Sequence, residues 1–119
     1  MIDKLKPLAF FVGVLNCLFT TEIAYASNHT AKEAEVTILS SNLANGGTVG
    51  EWGLSALAEI DGHCVLFDAG RYPDTVLRNI AVLKVDLSCV TDVVLSHFHF
   101  DHTTGLVPIV RAMRKLNPD

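Results

Sequence analysis

The chain has 119 residues, 50% of them hydrophobic, a mean hydropathy of +0.36 and a formal charge of −4, which leaves room for one small domain. With 3 Cys, 8 Gly and 4 Pro it is neither disulfide-dense, collagen-like nor low-complexity. The acidic balance, without clustered Lys or Arg, argues against sequence-independent nucleic-acid binding.

The apolar residues are unevenly spread, with 17 among the first 26 positions. Lys4 and Lys6 precede an apolar run from Leu8 to Phe19, and Ala24-Tyr25-Ala26 follows. These are the three parts of a secretory signal peptide, so cleavage after Ala26 and export to the periplasm or medium are expected. As a helix the run would span about 18 Å, short of the ~30 Å hydrocarbon core, so no permanent membrane span is expected. A buried N-terminal core helix is the competing reading. Export would leave Cys64 and Cys89 where disulfides persist. Each lies in or beside an apolar stretch, so both are read as small buried hydrophobes, with pairing as the alternative.

In chain order, Glu35–Ser41 (EVTILSS) predicts a first strand and Asn42–Gly50 (NLANGGTVG) a loop. Gly53–Ile60 and His63–Phe67 flank Asp61-Gly62, a hairpin signal, because both turn positions call for positive φ. Pro73 and Asp74 open a helix through about Lys84, with Val76, Leu77, Ile80 and Ala81 on its apolar face. Thr91–Leu95 (TDVVL) reads as a short strand covered on both faces. Leu106–Leu116 predicts a second helix, with Leu106, Ile109, Val110 and Met113 inward. The sum is a mixed α/β chain with helices packed on a sheet.

Between that last strand and helix lie His97, His99, Asp101 and His102, an H-x-H-x-D-H pattern at the carboxyl end of a strand. In extended backbone His97 and His99 point to the same side and can grip one ion. Asp101 and His102 follow as the chain turns, aimed at a second. Imidazole and carboxylate donors suit zinc, with manganese or iron as alternatives. Phe98 and Phe100 alternate with the donors and are expected to face the core. A lone His at a strand end is usually structural, but three His and one Asp in six positions are costly to bury unpaired. His29 and His63 are assigned no role.

The segment SHFHFDHTTGL (Ser96–Leu106) resembles the signature of the metallo-β-lactamase superfamily, and LFDAG (Leu66–Gly70) is similar to its preceding strand-end motif. EWGLSALAE (Glu51–Glu59) resembles the exported branch related to the methanopterin-pathway dihydropterin synthase. The resemblance implies an α/β fold, the N-terminal half of a four-layer αββα sandwich with a mixed sheet and helices on one face. It implies two divalent ions, one on His97 and His99 and the other on Asp101 and His102. Asp68 is implied as a partner orienting a ligand histidine, the alternative being a turn-forming Asp. Ser96 is implied to brace the loop, or merely to be small enough to fit. Glu51 and Trp52 could line the entrance or serve as packing.

The implied activity is hydrolysis of an ester, amide or phosphoester of a small-molecule substrate by a metal-bound hydroxide, with Asp101 accepting or relaying the proton. The remaining ligands of such a site belong to the second half of the sandwich. Residues 27–119 are therefore expected to be the truncated N-terminal part of the domain, inactive alone, needing a complementing C-terminal half or self-association. Alternatives are a non-catalytic module that binds metal or a partner chain, and a pterin-pathway transferase.

Overall fold

The Asp61-Gly62 turn sets the register of the first sheet pair. Both residues have positive φ (49° and 83°), the twist that lets a two-residue turn join antiparallel strands. Strand β2 (Ser55–Ile60) returns through it as β3 (His63–Phe67), with Ile60 opposite His63 and Ala56 opposite Phe67. Strand β1 (Ala34–Ser40) lies antiparallel on the other side of β2. The Asp61 carboxylate also accepts the N–H groups of Lys32 and Glu33, tying the turn to the approach to β1. The computed structural model describes residues 30–118. The expected signal peptide and His29 lie outside the described residues.

Helix α1 (Thr75–Leu83) follows Pro73 and Asp74, and Lys84, at φ 58°, ends it in the left-handed conformation. Its backbone N–H donates to the Ile80 carbonyl. The chain then enters β4 (Val90–Val94), parallel to β3, completing the sheet order β1-β2-β3-β4. A one-turn helix, α2 (Phe100–Thr103), falls in the stretch expected to be loop. Helix α3 (Leu106–Leu116) occupies the expected span.

Helices α1 and α3 share one face of the sheet. There Leu39, Leu57, Cys64, Leu66 and Val90 pack against Val76, Ile80 and Ile109. Asn79 of α1 is buried among them. Its amide donates to the carbonyls of Leu39 and Val49, and its oxygen accepts the Val49 N–H. That one side chain pins the loop of residues 42–50 to both helix and sheet.

The opposite face is apolar and open. Strand register places Val36 and Ile38, Ala56 and Ala58, Val65 and Phe67, and Val94 on it. Val36, Ile38 and Val94 are exposed, and so is Ile60 farther along β2. The two-sided coverage expected for β4 is therefore corrected: Thr91, Asp92 and Val94 are exposed, because β4 is an edge strand with helices on one side only among the described residues. The reading of the cysteines is corrected as well. Cys64 and Cys89 form a disulfide, with Cα atoms 5.4 Å apart. The parallel pairing brings Cys64 opposite Val90, so its neighbour Cys89 lies within bonding reach. No helix among the described residues is long and apolar enough to cross a membrane.

Candidate metal centre

Three local features deliver the site residues to the carboxyl ends of β3 and β4. Asp68 follows β3 directly and sits at φ 57°, a left-handed conformation that Asp tolerates better than most residues. Its N–H still donates to the Val94 carbonyl (2.8 Å), continuing the parallel ladder for one more residue. The next residue, Ala69, donates its N–H to the His102 carbonyl (2.8 Å), which docks α2 on the strand end. Gly105, at the start of α3, makes that docking feasible, since a Cβ there would run into the Ala69 carbonyl.

Asp68 is completely buried and organises the cluster. Its Oδ1 accepts the Ser96 backbone N–H at 2.7 Å, while Oδ2 accepts the Ser96 hydroxyl at 2.8 Å and His102 Nδ1 at 2.7 Å. Burial opposes charge on this carboxyl, but the Ser96 N–H, His102 and the Ser96 hydroxyl outweigh it. Together they hold Asp68 below the usual carboxylate range. As an ionised carboxylate it can only accept. Ser96 must then spend its one hydroxyl proton on Asp68, and its oxygen is left to accept from His97 Nδ1, 3.0 Å away. The same logic makes His102 Nδ1 a donor to Asp68. In this assignment both His97 and His102 present a bare Nε2.

The rings gather closely. The His97 centroid is 4.5 Å from that of His99 and 4.3 Å from that of His102, and Asp101 Oδ2 lies 3.4 Å from His102 Nε2. His97 and His99 are exposed, with Asp101 and His102 half-buried. In kind, imidazole nitrogens with an adjacent carboxylate fit a divalent ion, and a carboxylate behind a ligating His is the usual support for one. In number they fall short. Among the described residues no group of three His, Cys, Asp or Glu side chains is arranged to hold one ion.

Two expectations are corrected. Phe98 and Phe100 do not face the core: Phe98 is 87% exposed, its ring edge-on to His99, and Phe100 lies beneath the Arg71 guanidinium. Strand alternation cannot carry them inward, because β4 ends at Val94 and Phe100 begins α2. Nor does Glu51 line an entrance. It is buried, accepting the Ser40 hydroxyl and the N–H groups of Arg71 and Tyr72, and so braces the chain just past Gly70. A solvent-seeking residue type gave no warning of that role. Trp52 is 67% exposed rather than packed. With Leu43, Leu54, Asp101 and His102 it borders a cleft of about 460 Å³.

With this geometry in view, a family model described as the metallo-beta-lactamase superfamily matches residues 53–114, more than half of the chain. The chain belongs to the metallo-beta-lactamase superfamily. A superfamily relative from Methanocaldococcus jannaschii is named 7,8-dihydropterin-6-methyl-4-(beta-D-ribofuranosyl)-aminobenzene-5'-phosphate synthase. It is 36% identical over 70 residues, covering 56% of this chain and 24% of the relative. The ribonuclease Z of Borrelia duttonii is 39% identical over 61 residues, covering 50% and 18%. The crystal structure of a metal-dependent hydrolase of the beta-lactamase superfamily aligns with a TM-score of 0.53 at 36% identity, covering 63% of this chain and 27% of that one. The mixed four-stranded sheet with helices on one face is thus part of the superfamily fold. Matched segments span about a quarter of these relatives or less.

Proposed function

We propose that this chain supplies the first part of the active site of a metal-dependent hydrolase acting on an ester, amide or phosphoester of a small molecule. The observation that carries the reading is the Asp68–Ser96–His97–His102 hydrogen-bond network. It engages Nδ1 of both His97 and His102, which leaves their Nε2 atoms for a ligand, with that of His102 3.4 Å from Asp101 Oδ2. His97 and His99 would hold one ion, and Asp101 and His102 the other, zinc being the natural choice for these donors. Divalent ions in such sites act as Lewis acids and make water a usable nucleophile near neutral pH. Asp68 and Ser96 would orient the imidazoles, while Asp101, half-buried beside His102, would accept or relay a proton. The remaining donors would come from a complementing C-terminal segment. In a protein carrying the complete ligand set, His99→Ala abolishes hydrolysis of a chromogenic ester or phosphodiester and leaves the circular dichroism spectrum unchanged. Retention of most turnover and metal would overturn the assignment.

The open apolar face supports a second reading, a non-catalytic module whose exposed sheet is covered by a partner chain. Purified residues 27–119 would then be monodisperse and unfold cooperatively; aggregation would count against it. Export fits the Cys64–Cys89 disulfide, since such bonds persist in oxidising compartments. Fusing residues 1–26 to alkaline phosphatase tests this: enzyme activity outside the cytoplasm is expected, and its absence would reject export.

A further inference from the structure

Trp52 is an oddity of position. An indole is among the largest apolar side chains and gains most from burial, yet it stands 67% exposed, and Leu43, which lines the same depression, is 84% exposed. Neither belongs to a strand of the sheet. Both border an open, shallow depression of about 460 Å³ between the segment after β1 and the first turn of α2. Its other lining includes Asn42, Leu54, Asp101 and His102. The placement is enforced by the backbone. A Cβ at Gly53 would meet the Asp101 carbonyl and the Arg71 N–H, so only glycine seats this segment against α2 and keeps its neighbour Trp52 beside the donor cluster.

One lining therefore combines the apolar side chains of Leu43, Trp52 and Leu54 with the Asp101 carboxylate and the His102 imidazole. We infer that it binds a substrate whose scissile ester or phosphoester carries a flat aromatic group, stacked on Trp52 and covered by Leu43. This rests on the hydrolase reading and adds the class of group beside the bond that is cut. Substrates with a small aliphatic group in that position would leave both walls wet and bind more weakly.

Trp52 is the sole tryptophan of the sequence, so its fluorescence reports on the cleft without any turnover. The full chain, with and without zinc, is titrated with phenyl phosphate and with methyl phosphate, following emission and, in parallel, heat. Phenyl phosphate is expected to perturb Trp52 emission saturably and to bind at least about tenfold more tightly, the scale of one aromatic stacking contact. Calorimetry on Trp52→Ala should show that preference lost, and Trp52→Phe should restore most of it. Equal affinities, no saturable binding, or an unchanged preference in Trp52→Ala would each overturn the proposal. So would an emission maximum that moves to the blue as the protein is concentrated without ligand, because a second copy would then be covering the cleft. Zinc separates the two levels of argument. If the metal reading alone is wrong, zinc changes neither affinity even in a protein carrying the complete ligand set, while the aromatic preference survives. If the cleft reading alone is wrong, zinc strengthens both phosphates equally.

Discussion

At their N-terminal ends β3 and β4 are stapled by Cys64–Cys89 and packed into the core through Cys64 and Val90. At their C-terminal ends the same two strands release Asp68 and Ser96 into a cluster held by hydrogen bonds, whose outer members are exposed. Covalent and apolar contacts fix the spacing of the strands at one end. The other end is left with short polar contacts that choose tautomers and ring orientation. The staple and the proposed metal centre are thus separated by the length of a five-residue strand, and substitutions at the two ends should show different signatures.

The largest effect is expected at the stapled end. Replacing Cys64 and Cys89 together by Ala frees a loop with a sequence separation of 25, which chain-entropy arguments value at ~3.5 kcal/mol. Denaturant unfolding should show a loss of that order, while the folded fraction binds zinc as before. Unchanged stability would mean that the core alone sets the strand spacing. At the other end, His99→Ala should do the reverse. Its zinc affinity falls by more than about 100-fold, judged against the ~10–100-fold typical of losing a mere supporting partner, with stability within ~0.5 kcal/mol. A large stability loss in this exposed residue would blur the division between the two ends.

Asp68 sits between the extremes and should show both signatures. Asp68→Asn should lower zinc affinity by about 10–100-fold, because His102 loses its charged partner. Stability should respond to pH in a defined direction. The Asp68 pKa is depressed in the folded chain, so its contribution is complete above the unfolded value of about 3.9. It disappears as pH falls through the lower folded value. Wild type and Asp68→Asn should therefore differ at neutral pH and converge under acid, as read by urea midpoints across a pH series. The smallest effect belongs to Ser96→Ala, which removes one hydroxyl shared by Asp68 and His97 and should cost about 1 kcal/mol. A null result there would remove the argument that Ser96 selects the His97 tautomer.

Much of this was legible in residue order, and the exceptions have physical causes. Asp61-Gly62 announces its hairpin because few pairs accept two positive φ angles, and α3 is readable because its period persists for three turns. The donor pattern from His97 to His102 is local, so spacing alone brings it together. The disulfide is different: nothing in a 25-residue separation says that a parallel crossover will set position 64 beside position 89. Helix α2 has only four residues, too few for a period to show. The outward turn of Phe98 depends on where β4 ends and on the lack of a covering layer among the described residues, both tertiary facts. Glu51 and Asn79 look like surface residues until their backbone partners, far along the chain, are in place.

The central claim is that the exposed end of the β3–β4 pair is a metal centre. Anomalous diffraction from zinc-grown crystals of a protein carrying the complete ligand set tests it most directly. The account predicts peaks at bonding distance, about 2.0–2.1 Å, from the Nε2 atoms of His97 and His102. Zinc found only elsewhere, or none within reach of either ring, would contradict it.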